Sequence, residues 1–245
     1  KIPVEILEDR ASGRGGWKEV GRETTSFDVA PDGSRAVIGA RGDVFSVPAK
    51  HGPTRNLSQT PGVHERGATW SPDGRWIAYV SDQSGEDEIW FRPQDGSGEP
   101  VQLTTGADTY KYSPAWSPDS KHVAWTDKKN RLQFVDVGTK AVTLVAQSEA
   151  WEIRDFTWAP DSQWIAFTRP EVRRFANIYL YSLESKQTVP VTDGWFEVGS
   201  PAFSSDGKQL FFVSERSFNP TYGATEWNHV YNDLERIYLV TLAKD

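Results

Sequence analysis

The chain is built on repeats of one pattern, seen most fully in Ser71-Pro-Asp-Gly-Arg-Trp-Ile-Ala-Tyr-Val-Ser-Asp82, where a polar turn runs straight into an alternating aromatic and aliphatic segment. Four related stretches begin at Ala30, Ser117, Ala159 and Ser204. The turn aspartates are spaced 41 to 46 residues apart, at Asp32, Asp73, Asp119, Asp161 and Asp206. Repeats of roughly 40–45 residues with strand-forming sequence are typical of propeller blades. The period therefore predicts an all-β propeller.

Each repeat contains material for four strands. In the second repeat, a short strand ends at the turn, and three more follow as Trp76-Ile-Ala-Tyr-Val80, Glu88-Ile-Trp-Phe91 and Pro100-Val-Gln-Leu103. β-branched and aromatic runs bounded by Gly, Asp and Ser favour strands, and proline in a fourth strand fits an exposed blade edge. We predict four-stranded antiparallel blades at about residues 24–60, 66–106, 112–147, 154–193 and 199–245.

The two ends of the chain leave the ring open to two interpretations. The fifth repeat has no fourth strand after it, whereas Lys1-Ile-Pro-Val-Glu-Ile-Leu7 has a fourth-strand pattern. Residues 1–7 could close a five-bladed ring, or they could be the outer strand of a preceding blade in a larger ring. An open arc would leave two apolar blade faces bare, which favours closure. The first residue is not methionine and no signal peptide is evident, so we expect a longer parent protein.

Composition excludes several classes of function. A formal net charge of −7 argues against general nucleic-acid binding, and the absence of cysteine excludes disulfides and thiolate zinc sites. No segment has the apolar length of a membrane span, and the four histidines lack metal-site spacing. We therefore predict no cofactor, no metal, no nucleic-acid partner and no membrane partner.

Propeller geometry sorts the loops onto two faces. The Pro-Asp-Gly turns and the third-to-fourth strand turns share one face, here called the turn face. The second-to-third strand loops and the blade-to-blade crossings share the other, here called the variable face. Binding residues usually lie on variable loops of a rigid scaffold. Arginines there suit peptide carboxylates, because a guanidinium donates to two oxygens at once. The predicted binding residues are Arg169, Arg173, Arg174, Tyr110, Tyr112, Trp151, Arg154, Trp195, Phe196 and Trp227; a solvated loop is the alternative for the arginines.

No catalytic constellation is evident in the sequence. The turn aspartates are explained by their known role in capping turns. The acidic segment from Asp82 to Glu88 resembles a calcium loop in composition but lacks regular ligand spacing, which favours solvated loop charge. No serine lies in a Gly-x-Ser-x-Gly turn. We predict that the chain carries no catalytic residues.

Several segments together resemble the second propeller of tricorn-type peptidases, within the TolB and tricorn class of propeller repeats. They include Thr60-Pro-Gly-Val-His-Glu-Arg66 and Ile153-Arg-Asp-Phe-Thr-Trp158, together with residues 40–57 and 226–238. The Ser-Pro-Asp-Gly repeat is shared by many propellers. The other segments are more particular, and they extend from one end of the chain to the other.

This resemblance implies a large cytoplasmic serine peptidase that encloses its own active sites and trims oligopeptides. Such enzymes assemble into hexamers, and their propellers guide and filter peptides. The catalytic residues lie in C-terminal domains that this chain lacks. The family's second propeller has seven blades, which favours the arc. We therefore expect a non-catalytic propeller segment whose partners are oligopeptides and the other domains and subunits of a homohexamer. The alternative is a stand-alone TolB-like scaffold that binds proteins.

Overall fold

The computed structural model describes residues 19–112, 114–217, 220–222, 229–231 and 233–242. All regular structure in these residues is β-strand. The described part of the chain contains no helix that is long and apolar enough to cross a membrane. The predictions made for residues 1–7 and for Trp227 lie outside the described residues.

The strands form consecutive antiparallel sheets. The first three sheets contain β1 (Thr24–Val29), β2 (Arg35–Ala40), β3 (Asp43–Pro48) and β4 (Arg55–Asn56); β5 (Glu65–Trp70), β6 (Trp76–Ser81), β7 (Glu88–Pro93) and β8 (Val101–Gln102); and β9 (Ala115–Trp116), β10 (His122–Thr126), β11 (Arg131–Asp136) and β12 (Val142–Gln147). The fourth and fifth contain β13 (Phe156–Trp158), β14 (Trp164–Arg169), β15 (Asn177–Ser182) and β16 (Thr188–Pro190); and β17 (Val198–Phe203), β18 (Gln209–Glu215) and β21 (Glu235–Thr241). The hairpin of β19 (Pro220–Tyr222) and β20 (His229–Tyr231) lies between β18 and β21 in the chain.

This arrangement confirms the predicted propeller of antiparallel blades. Strands within each of the first four sheets pair in chain order, as β5-β6-β7-β8 does in the second. The fifth sheet has three strands among the described residues, in the order β17-β18-β21, and the insertion with the β19-β20 hairpin connects β18 to its partner β21.

The Ser-Pro-Asp-Gly turn is held together by its own side chains. Ser71 Oγ donates to Asp73 Oδ1 at 2.6 Å and accepts from the Trp76 N–H at 2.9 Å. Asp73 Oδ1 also accepts from the Arg75 N–H at 3.0 Å. Gly74 has a φ of 72°, which strains residues that carry a Cβ. The turn aspartate is therefore occupied within its own turn, as the sequence predicted.

Hydrophobic clusters join each sheet to the next one along the chain. In one cluster, Val80 and Phe91 of the second sheet pack against Trp116, Val123 and Trp125 of the third. Equivalent clusters join the first sheet to the second, the third to the fourth, and the fourth to the fifth. The core is therefore a series of layers between blades, and each interior blade needs both of its neighbours.

The outer faces of the first and last sheets remain apolar and exposed. Phe27 on β1 is 75% exposed and Ile237 on β21 is 76% exposed. Val29 and Leu239 on the same strands are also exposed. No cluster formed by residues that the structure describes joins the fifth sheet to the first. These bare faces are the feature expected of an open arc of blades.

The Ser71→Ala substitution should destabilise the fold. The Ser71 side chain is fully buried, and its loss leaves the Trp76 N–H without a hydrogen-bond acceptor. A buried donor that loses its partner costs about 1–3 kcal/mol in the free energy of unfolding. Urea denaturation followed by tryptophan fluorescence measures this loss. Ser185→Ala is the matched control, since Ser185 is exposed on the turn face. Equal losses in the two variants would contradict the role given to Ser71.

Candidate functional site

Three segments of the variable face lie side by side on the third, fourth and fifth blades. The loop between β14 and β15 is held at one end by Ser148, whose Oγ donates to the Pro170 carbonyl at 3.0 Å. At its other end, Gly194 lies against Asn177 so closely that a Cβ on Gly194 would be 3.0 Å from Asn177 Nδ2. The crossings that contain Ser148 and Gly194 therefore flank this loop on both sides.

Large aromatic side chains are exposed on these three segments. Trp151 is 63% exposed on the first crossing, and Trp195 is 75% exposed on the second, next to the exposed ring of Phe196. Phe175 is exposed on the loop between them. We call Trp151, Phe175, Trp195 and Phe196 the aromatic patch. Tryptophan and arginine are enriched among the residues that dominate binding energy at interfaces, so this composition suits recognition of a partner.

The three predicted arginines of the β14–β15 loop have different surroundings. Arg169 donates to Glu171 Oε1 from Nε at 2.9 Å and to the Tyr179 hydroxyl at 2.8 Å. Its charge is therefore already compensated within the blade. Arg173 and Arg174 are exposed, and within the described ranges neither forms an ion pair or a side-chain hydrogen bond. Both guanidinium groups are therefore accessible to an anionic group, although Arg174 is already close enough to Glu171 to attract it.

Tyr110 lies between two cations. The Arg66 guanidinium carbon lies 3.9 Å from the Tyr110 ring centroid, and Lys128 Nζ lies 5.1 Å from it. The Tyr110 ring also packs edge-on against Tyr112, with centroids 5.4 Å apart. Arg66 pairs with Asp87 and is largely buried. Tyr110 thus packs against Tyr112 and contacts both cations, while its own side chain remains partly exposed.

The prediction of solvated charge between Asp82 and Glu88 is wrong for its last two residues. Asp87 pairs with Arg66. Glu88 is 2% exposed; it accepts from the Ala107 N–H at 2.7 Å, and its carboxylate lies 3.3 Å from Lys111 Nζ. Lys111 and the Ala107 N–H come from the next crossing, whereas Arg66 lies on β5 of the same sheet, and together they compensate the two carboxylates. Sequence reasoning missed Arg66 and Lys111, which anchor this corner of the variable face.

A pocket of about 490 Å³ opens between the third and fourth blades. It forms where β9 and β13, the inner strands of these blades, are only 2 and 3 residues long. We call it the interblade pocket. Its lining residues are Tyr112, Thr126, Glu152, Ile153, Arg154 and Phe156. Tyr112 and Arg154 were predicted as binding residues, whereas Glu152 and Phe156 were missed.

Glu152 is the anionic group of the interblade pocket. Its Oε1 accepts from the Tyr112 hydroxyl at 2.6 Å, and its Oε2 lies 3.5 Å from Arg154. This hydrogen bond to the Glu152 carboxylate raises the pKa of Tyr112 to about 12. Among the described residues, no group of three or more His, Cys, Asp or Glu side chains could hold a metal ion. The pocket therefore offers a carboxylate, two aromatic rings and an exposed guanidinium.

Known proteins match this chain over most of its length. A family model described as the tricorn protease second beta propeller domain matches residues 24–245. Tricorn protease homolog 1 of Streptomyces coelicolor is 32% identical over 213 residues, which are 85% of this chain and 20% of that protein. A putative tricorn-like protease C-terminal subunit of Sulfurisphaera tokodaii is 28% identical over 243 residues, which are 99% of this chain and 27% of that protein. The chain thus spans about a fifth to a quarter of these relatives.

A solved structure has the same fold. The crystal structure of the tricorn protease aligns with a TM-score of 0.83 and 17% sequence identity. The alignment covers 91% of this chain and 22% of that one. At this level of identity, the likeness shows the fold alone.

The Glu152→Gln substitution should lower the pKa of Tyr112 from about 12 towards the ordinary value of 10.0, because the phenolate would no longer form beside a carboxylate. The ¹³Cζ resonance of labelled Tyr112, assigned with Tyr112→Phe, reports its ionisation. At pH 11 we expect a neutral phenol in the wild type and mostly phenolate in the variant. Glu149→Gln, an exposed site on the same crossing, is the control. Identical titrations of wild type and Glu152→Gln would contradict the assigned contact.

Proposed function

The chain belongs to the family of tricorn protease second β-propeller domains, and we propose on this premise that it guides or filters oligopeptides for a serine peptidase. The catalytic domain of that enzyme lies outside this chain. The proposal gives the propeller a binding role and no chemical step. It also assigns the oligopeptides to the variable face.

The observation that carries this proposal is the contrast between the two faces. On the turn face, side chains such as Ser71 and Asp73 form hydrogen bonds within their own turns. On the variable face, Arg173 and Arg174 are exposed beside the aromatic patch. A peptide offers a carboxylate for the arginines and apolar side chains for the rings. The variable face thus presents the chemistry that an oligopeptide needs.

We propose further that the five blades form an arc of a larger, seven-bladed ring. The exposed Phe27 and Ile237 support this, because blade faces in a complete ring are covered by neighbours. The blade bounds expected from the sequence, with residues 1–7 as the outer strand of a preceding blade, belong to this proposal. Other domains and subunits of the parent peptidase are the proposed partners, in a homohexamer located in the cytoplasm.

The isolated 245-residue chain should self-associate through its two bare faces. Exposed contiguous apolar surface drives association, and a charge placed on it opposes association. We expect the Phe27→Lys, Ile237→Lys double variant to be more monomeric than the wild type in sedimentation velocity experiments. The control is Val142→Lys with Val189→Lys, which are exposed apolar positions on outer strands. A monomeric wild-type chain would contradict the arc.

Removing the two exposed arginines should weaken oligopeptide use by the intact parent protein. In the Arg173→Ala, Arg174→Ala double variant, we expect the KM for peptides of 8 to 12 residues to rise on the order of tenfold. The carboxylate groups of the peptide would lose their charge-assisted hydrogen-bond donors. Steady-state hydrolysis of such peptides, with a dipeptide substrate for comparison, measures the effect.

The control for this experiment is Lys121→Ala with Lys186→Ala on the turn face. Lys186 has a φ of 56° and Arg173 has a φ of 68°. Each double variant therefore places one alanine in the left-handed region, so the effect on the backbone is similar in the two. Equal effects in the two double variants would remove the variable face from the proposal. An intact parent protein that hydrolyses no oligopeptide would remove the peptidase role and favour a stand-alone scaffold.

A further inference from the structure

The interblade pocket contains a carboxylate with unused acceptor capacity. Glu152 is 28% exposed, and its Oε1 accepts one hydrogen bond, from Tyr112. Among the described residues, its Oε2 has only a long 3.5 Å contact with Arg154, whose side chain is 69% exposed. A carboxylate can accept about four hydrogen bonds. Glu152 therefore has room for a further donor that enters the pocket.

The other lining residues suit a cation on an apolar stem. Tyr112, Phe156 and Ile153 line the pocket around Glu152. Aromatic rings attract ammonium groups, and aliphatic stems pack on such surfaces while the charged head keeps its polar contacts. A carboxylate ligand would meet the like charge of Glu152. A neutral apolar ligand would cover Glu152 without offering it a donor, which is costly.

From this geometry we propose that the interblade pocket binds a primary ammonium group of an oligopeptide, either the N-terminal amine or a lysine side chain. The inference rests on the proposed function for the nature of the ligand, and it names the group that is recognised. The volume of about 490 Å³ lies within the usual range for ligand pockets and accommodates one residue. The ammonium donates to Glu152 and replaces Arg154 beside Glu152 Oε2.

The neighbouring charges are compatible with a cationic ligand. Lys111, the buried cation next to Tyr112 in the chain, is compensated by Glu88. Arg66 is compensated by Asp87. Lys128 lies on the Tyr110 ring, and none of these three cations lines the pocket. Arg154 is the one cation in the lining, and its exposed side chain can move into solvent. Arg173 and Arg174 lie on the adjacent loop, where they suit the carboxylate groups of the same peptide.

The test is equilibrium binding of fluorescent octapeptides to the intact parent protein after treatment with a serine-directed fluorophosphonate. One lysine-free peptide has a free N-terminus, and the second is its N-acetylated form. A third is N-acetylated with one lysine, and the fourth carries Nε-acetyl-lysine instead. We expect the free-amine or the lysine peptide to bind on the order of tenfold more tightly than its acetylated counterpart. Whichever of the two does so identifies the source of the ammonium.

Three variants assign the effect to the pocket. Glu152→Gln keeps the shape of the side chain but removes its charge, and it should abolish the preference for an ammonium. Tyr112→Phe keeps both the carboxylate and the ring, so the preference should persist. Glu149→Gln, on the same crossing but outside the pocket, should bind like the wild type. This control separates a specific contact from the general charge of the face.

The outcomes separate this inference from the proposed function. Equal binding of acetylated and free peptides by the wild type overturns the inference. The inference is also overturned if Glu152→Gln keeps the preference for ammonium peptides, or if Glu149→Gln loses that preference as well. Hydrolysis by the untreated parent protein is a separate readout. A protein that binds ammonium peptides through Glu152 but cleaves none would refute the peptidase role while leaving the pocket assignment intact.

Discussion

Face-to-face burial between consecutive blades is the constraint on which this structure depends. A blade such as the third has apolar side chains on both of its faces: Val123 and Trp125 pack towards the second sheet, and Phe134 packs towards the fourth. Such a sheet cannot leave either face in water. The tryptophan before the turn adds a polar link, because Trp116 Nε1 donates to the Thr69 carbonyl and Trp158 Nε1 to the Ala115 carbonyl, both at 3.3 Å. These contacts thus fix the position of each blade relative to the next one.

Because the blades must pack face to face, the turn face and the variable face of the propeller present different side chains to solvent. The turn face closes each blade tightly, and its hydroxyls also join neighbouring turns: the Asp73 N–H donates to Ser120 Oγ at 3.1 Å. Polar groups used in this way are not available to a ligand. The crossings of the variable face must only span the distance to the next blade, so their side chains are free to vary. Exposed rings such as Trp151 and Trp195 are tolerated there because the core beneath does not depend on them.

The sequence predicted the all-β propeller of antiparallel blades, because turn chemistry and strand alternation are local signals. It failed at Asp87 and Glu88, whose partners Arg66 and Lys111 belong to other segments of the chain. No local pattern places those cations over the acidic loop. The compensation of Arg169 was within reach, because Glu171 is only two residues away. The interblade pocket was not, because its lining comes from two crossings and from strands of two different blades.

The repeat period contains a signal for such contacts. Tyr112 and Glu152 are 40 residues apart, Arg66 and Lys111 are 45 apart, and Thr69 and Trp116 are 47 apart. Residues within one or two positions of equivalence in adjacent repeats meet, because the inner end of each blade lies beside that of the next. One-period spacing therefore indicates which residues of adjacent repeats meet, but it does not reveal a pocket between them. In the interblade pocket, Tyr112 of one crossing and Glu152 of the next line the same cavity, so a substitution in either crossing alters that one pocket.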